Sequence, residues 1–157
     1  MTRFGCWALS AAALIGCAPA FGATDAMRSQ VQEFVKTYVD AQNRVDASAQ
    51  MEMVSKKSGV SAISMGEIRR GWEAIRADVD ETVGSEGLFK ISIGTIDVEA
   101  LGPSFALAYA PCTMTFRTAD GELQLRGAVT LVLDKSSGKW KVLHEHGSAQ
   151  LPEVEGE

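Results

Sequence analysis

The only two histidines of the sequence, His144 and His146, lie two residues apart in W-K-V-L-H-E-H-G-S near the end of the chain. Successive side chains of a strand point to opposite faces, so a strand here would place Trp140, Val142 and both histidines on one side. That side carries the apolar residues, and we expect it to face helices and a pocket. A neutral imidazole in such a pocket could act as a general base or a hydrogen-bond donor, because imidazole titrates near neutral pH.

Two other roles fit the same pair. His144 could be a core histidine whose ring fills space and bonds to a backbone carbonyl. The pair could also bind zinc, but zinc sites take three or four protein ligands, and no third ligand is indicated by spacing. We predict His144 and His146 as candidate catalytic residues, with no metal and no cofactor.

Three helices are predicted before the strands. Apolar residues recur every three or four positions from Met27 to Val39, behind Thr24 or Asp25 as a cap. Asp46 is predicted to cap a second, shorter helix. The string S-M-G-E at residues 64–67 fits a capping box and predicts a third helix that ends at Gly84.

The rest of the chain is rich in strand-forming residues and turn signals. The predicted strands are residues 60–63, 88–99, 104–118, 123–133 and 140–148. The apolar phase slips near Gly94, which predicts a bulge or strong bend there, and Pro111 indicates an edge, a bulge or a break. Helices followed by antiparallel strands predict an α+β fold: one bent sheet with helices on a single face.

The first 22 residues have the pattern of a signal peptide. A short basic start precedes an uncharged apolar run over residues 4–16, and small residues suitable for cleavage follow. The string L-I-G-C ending at Cys17 resembles a bacterial lipobox, so cleavage before Cys17 and lipidation of its thiol is the alternative. We predict export to the bacterial periplasm, with contact to the outer membrane only through such an anchor.

Composition limits the remaining function classes. The chain has 157 residues, enough for one domain, which we place at residues 23–150 before an acidic tail at 151–157. Its net charge of −5 and scattered basic residues argue against a nucleic-acid partner. Cys112 is the only cysteine of the predicted domain, so an internal disulfide is excluded and the cysteine is predicted to be a small buried side chain.

The order of elements and several local strings resemble one family. Y-V-D-A-Q-N at residues 38–43, G-W-E-A-I-R at 71–76 and the last hairpin over 131–148 resemble the SnoaL-like branch of the NTF2-like superfamily. The resemblance covers roughly residues 25–150. It implies a cone in which three N-terminal helices pack on a strongly bent, mostly antiparallel sheet around a pocket, often dimerising through the sheet.

The resemblance does not imply one activity. The superfamily includes ketosteroid isomerases, polyketide cyclases, dehydratases and epoxide hydrolases as well as binding and assembly domains, so function must come from the site. The isomerases place an Asp on the short strand after the second helix, and residues 59–64 here contain no acid. Asp97 and Glu99 are the nearest alternatives, and solvated strand carboxylates also explain them.

Four further residues are predicted to line the pocket: Tyr38, Trp72, Tyr109 and Arg126. The predicted function is an exported binding protein for a small, partly apolar molecule. One alternative is an isomerase, cyclase or dehydratase that uses a pocket histidine as proton shuttle. Another is an interaction domain that forms a homodimer through its sheet.

Overall fold

The computed structural model describes residues 22–64, 66–85 and 87–150. The helices are α1 Asp25–Asn43, α2 Ala47–Met53 and α3 Trp72–Glu81. The strands are β1 Ser61–Ser64, β2 Glu67–Arg70, β3 Phe89–Ile93, β4 Asp97–Ala100, β5 Phe105–Thr118, β6 Gly121–Asp134 and β7 Lys141–Gln150. None of the helices in this part of the chain is long and apolar enough to cross a membrane.

The first two helices begin at the predicted caps. The Thr24 hydroxyl accepts a hydrogen bond from the Met27 N–H at 3.1 Å, and the Asp46 carboxylate accepts one from the Ala49 N–H at 2.9 Å. Each cap satisfies an N–H group that has no partner within its helix. The helix starts predicted from these residue types are therefore confirmed.

The predicted start of α3 is wrong. Glu67 opens strand β2, which pairs antiparallel with β1, and α3 begins only at Trp72. Gly66 and Gly71 flank β2 with φ angles of 85° and 88°, a region that glycine enters without a steric penalty. Ser64 and Glu67 therefore pair across β1 and β2 and do not form a capping box.

All seven strands belong to one sheet. Their order is β2-β1-β7-β6-β5-β3, and β4 pairs with β5 beside β3. β1 runs parallel to β7, and the other neighbours are antiparallel. The α+β architecture predicted from the order of elements is confirmed.

The sheet bends where the apolar phase slips. Along β5, residues up to Tyr109 pair with β4 and residues from Cys112 onward pair with β3, so the break between the two partner strands lies beside Pro111. The Gly94 N–H donates to the Pro111 carbonyl at 2.8 Å, and a Cβ on Gly94 would come within 2.9 Å of the proline ring. The predicted irregularity near Gly94 is confirmed as an interruption between β3 and β4.

The core fills the space between the helices and one face of this curved sheet. Its most buried large side chains are Tyr38, Leu131, Leu133, Val31, Val35 and Val60. Cys112 is buried and free, and burial raises the pKa of its thiol, as expected for a small core side chain. The opposite face of the sheet carries no helix in the described residues.

Candidate functional site

A cavity of about 380 Å³, partly open to solvent, lies between the helices and the sheet. The lining residues are Gln42, Val45, Gln50, Ala62, Ile63, Ser64, Ile75, Asp78, Val79, Thr82, Ser85, Phe89, Met114, Phe116 and Glu145. A larger depression of about 680 Å³ near Trp140 is a shallow groove on the outside of the domain. The cavity between the helices and the sheet is the better candidate site, because it is less open to solvent than the groove and its walls can contact more of a ligand.

A bulge in β7 decides which side chain faces this cavity. Leu133 pairs with Val142, whereas the preceding residue Val132 pairs with His144, so Leu143 is an extra residue. Beyond the bulge, the alternation of side chains is shifted by one residue, so each side chain points to the face opposite to the one that alternation from Val142 predicts. As a result Glu145 faces the helices and lines the cavity.

The prediction that His144 and His146 face the helices is therefore wrong. Both lie on the side of the sheet that carries no helix, where the Ser61 hydroxyl hydrogen-bonds the His144 Nδ1 at 2.9 Å. His146 is exposed and pairs with Thr130. Neither histidine lines the cavity. Their catalytic role remains a prediction without a pocket around it.

Two side chains of α1 hold the Glu145 carboxylate. The Tyr38 hydroxyl donates to Oε2 at 2.6 Å, and the Gln42 side-chain amide donates to Oε1 at 3.1 Å. Tyr38 and Gln42 are one helical turn apart, so they lie on the same face of α1. Both carboxylate oxygens thus have a donor, as an enclosed carboxylate requires.

The cavity changes the acidity of both partners. Desolvation raises the pKa of Glu145 above its ordinary value of 4.5, and the charge of Asp78 raises it further. The bonds from Tyr38 and Gln42 and the charge of His144 act in the opposite direction without reversing the increase. Burial and the Glu145 charge raise the pKa of Tyr38 well above 10.0, so its hydroxyl stays protonated and donates.

Asp78 is the second acidic group in the cavity wall. It projects from α3 and is paired with Arg69 of β2 through a 2.5 Å contact between Oδ1 and Nη2. The same guanidinium contacts Glu67 at 2.6 Å. Arg69 therefore joins β2 to α3 and sets the position of Asp78 at the cavity.

Of the predicted pocket residues, Tyr38 reaches the site through its bond to Glu145. Trp72 packs at the edge of the core with the Lys56 ammonium 4.7 Å from its ring centroid, and Tyr109 and Arg126 lie exposed on the helix-free side of the sheet. Trp72, Tyr109 and Arg126 do not line the cavity, in contrast to the prediction from the sequence. The Tyr109 hydroxyl donates instead to Glu99 at 3.1 Å.

Sequence reasoning missed Glu145, Asp78 and Gln42. Strict alternation from Trp140 onward predicts that Glu145 lies on the outer face of the sheet. The adjacent apolar residues Val142 and Leu143 are the local signal of the bulge, since two successive apolar side chains break the alternation.

Some predictions fall on residues that the structure does not describe. Cys17 and the rest of the signal peptide up to residue 21 lie outside the described residues, as does the tail at 151–157. Within the described ranges no group of three or more His, Cys, Asp or Glu side chains is arranged to hold a metal ion.

Comparison with protein families gives one match that spans most of the chain. A family model described as a SnoaL-like domain matches residues 31–152. No curated protein matches the sequence.

Solved structures share the fold at low sequence identity. An NTF2-like protein of unknown function from Shewanella oneidensis MR-1 is 22% identical, with a TM-score of 0.62 over 77% of this chain and 98% of that one. An NTF2-like protein from Streptomyces avermitilis named as a candidate dehydratase is 14% identical, with a TM-score of 0.72 over 82% and 99%. A protein from Xanthomonas campestris named as a candidate calcium/calmodulin-dependent protein kinase II association domain is 21% identical, with a TM-score of 0.67 over 83% and 91%. At these identities the similarity shows a common fold and not a common activity.

The raised pKa of Glu145 predicts a pH dependence of stability. Above pH 4.5 the folded state holds a proton that the unfolded state has released, so rising pH favours unfolding until the folded-state pKa is passed. We expect Glu145→Gln to remove this dependence, so that wild type loses stability relative to the variant as pH rises from 4.5. Urea unfolding of both proteins across this range measures the difference.

Glu99→Gln is the matched control, because Glu99 also accepts a bond from a tyrosine but on the exposed face. It should follow the wild-type pH profile. If Glu145→Gln also follows that profile, Glu145 does not have the environment described here.

Proposed function

We propose that this chain, which belongs to the SnoaL-like domain family of the NTF2-like superfamily, is an exported domain whose cavity binds a small, partly apolar molecule. The observation that carries the proposal is the cavity of about 380 Å³, whose lining includes apolar side chains and a polar end where Gln42 donates to Glu145. This volume is within the range of roughly 300–1,000 Å³ that is common for small-molecule sites.

The wall of the cavity supports a ligand with an apolar body. Ile75 and Val79 of α3 face Phe89, Met114 and Phe116 of the sheet across the cavity. Hydrocarbon placed there would be removed from water, at a gain of about 25 cal/mol per Å² of apolar surface. The polar end would fix its orientation, because an enclosed polar group favours ligands that complete its hydrogen bonds.

Proton transfer is a second candidate function. A carboxylate with a raised pKa at the edge of a ligand-sized cavity fits a general base or acid better than a surface carboxylate does. Glu145 would hold the proton and Tyr38 would position it through the 2.6 Å bond. In this form the enzyme alternative uses a carboxylate in place of the histidines.

Export is proposed from the sequence alone. Residues 1–22 have the charge and apolar pattern of a signal peptide, and the L-I-G-C string ending at Cys17 supports lipid anchoring as one form of export.

Filling the cavity should abolish ligand binding. Val79 lines the cavity, so Val79→Phe places a ring in the ligand's space, and native mass spectrometry of the purified protein should lose any co-purifying small molecule. Val83→Phe makes the same change on an exposed side chain that does not line the cavity, and it should keep the molecule. A bound molecule retained equally by both variants, or absent from wild type, would contradict the binding proposal.

The proton-transfer candidate predicts isotope exchange. If the co-purified molecule has an acidic C–H bond, wild-type protein in heavy water should introduce deuterium into it, and mass spectrometry follows the rate. Glu145→Gln should slow exchange by at least about 100-fold, the usual contribution of a general base. Glu99→Gln should leave the rate unchanged. Exchange that survives in Glu145→Gln would rule Glu145 out as the base.

Lipid anchoring depends on one sulfur atom. Cys17→Ser removes the atom that would carry the acyl chains, so the protein should move from the membrane fraction to the soluble periplasmic fraction. Immunoblots of fractionated cells measure the distribution, and Cys6→Ser, which lies outside the L-I-G-C string, is the control. Unchanged partitioning of Cys17→Ser would exclude the anchor and leave ordinary cleavage.

A further inference from the structure

The ionisable groups that face the cavity all carry the same sign of charge. Among the described lining residues, Asp78 and Glu145 are the only ionisable side chains, and no described lysine, arginine or histidine lines the cavity. The charge at the polar end is therefore negative whenever these carboxyl groups are ionised. This excludes an anionic ligand and leaves cations and neutral molecules.

The cationic side chains near Asp78 and Glu145 do not fully balance the negative charge of these two groups. Arg69 is shared between Asp78 and Glu67, so this group of three sums to one negative charge. Glu145 receives its hydrogen bonds from the neutral donors Tyr38 and Gln42. His144 lies on the other face of the sheet, where the ring bonds to Ser61.

The two carboxylates also repel each other. The charge of Asp78 makes ionisation of Glu145 less favourable and adds to the larger effect of burial. A positive group bound near both would reverse this effect, because each carboxylate would then be attracted to it. A neutral ligand would leave the repulsion in place.

The apolar walls decide what kind of cation fits. An inorganic cation would leave Phe89, Met114 and Phe116 without a ligand against them, and the described residues offer no set of three carboxylate or imidazole ligands. The rings of Phe89 and Phe116 are 4.9 Å apart between centroids, so they form one continuous aromatic surface. Aromatic faces attract organic cations as well as hydrocarbon.

We infer that the cavity takes a small protonated amine, whose ammonium group lies near Asp78 and Glu145 and whose hydrocarbon packs on Phe89, Met114 and Phe116. The inference rests on the proposed binding function and names its ligand class. The amide of Gln42 and that of Gln50 lie at the same end and offer carbonyl oxygens for the remaining ammonium protons. Recognition would thus combine charge, hydrogen bonds and apolar contact.

Isothermal titration with two probes of the same shape tests the inference. The probes are cyclohexylmethylamine, which is protonated at neutral pH, and cyclohexylmethanol, which is neutral. We expect the amine to bind wild-type protein at least about tenfold more tightly, because an enclosed carboxylate strongly favours a charged partner. Glu145→Gln and Asp78→Asn should each lower amine affinity by at least about tenfold and change alcohol affinity little.

Asp80→Asn is the matched control, since Asp80 is on the same helix as Asp78 but pairs with Arg76 at the surface. It should leave the affinity of both probes unchanged. Alcohol binding as tight as amine binding, or amine binding that survives both cavity variants, would overturn the amine inference and leave the binding function standing. If neither probe binds and no molecule co-purifies with wild type, both proposals fail.

Discussion

The hydrogen bond from the Tyr38 hydroxyl to Glu145 is the contact that allows an acidic side chain to face the interior of this domain. A carboxylate taken out of water loses several kcal/mol of solvation, and it is tolerated only where protein donors replace the lost water. Tyr38 and Gln42 provide these donors from a single face of α1. The packing of α1 on the sheet and the ionisation of Glu145 are therefore coupled through the hydrogen bond from Tyr38.

This contact exists because β7 contains one extra residue. Without Leu143 as a bulge, continuous alternation would turn the His144 ring toward α1 and the Glu145 carboxylate toward solvent. The bulge thus selects a carboxylate instead of an imidazole for the cavity. Strict alternation along β7 predicts the opposite orientation, because the extra residue appears only in the pairing of β7 with β6.

The features that the sequence predicts correctly are those that depend on local chemistry. The caps at Thr24 and Asp46 and the bend at Gly94 follow from the residue types at those positions, and the order of elements predicts the fold. The sequence does not predict that Glu67 opens a strand, because S-M-G-E fits a helix cap and a turn at Gly66 equally well. Pairing with β1 selects the turn, and no local pattern reveals that pairing.

The acidic end of the cavity is difficult to explain by stability alone. Replacing an enclosed charged group by a well-packed apolar one is often neutral or stabilising, so a leucine or methionine at position 145 would serve the core at least as well. Burial raises the pKa of Glu145, so its ionised form is less favourable in the folded protein than in water. Proteins usually keep such unfavourable groups where function requires them. By the same reasoning His144, on the solvent-facing side of the sheet with a serine partner, requires no functional explanation.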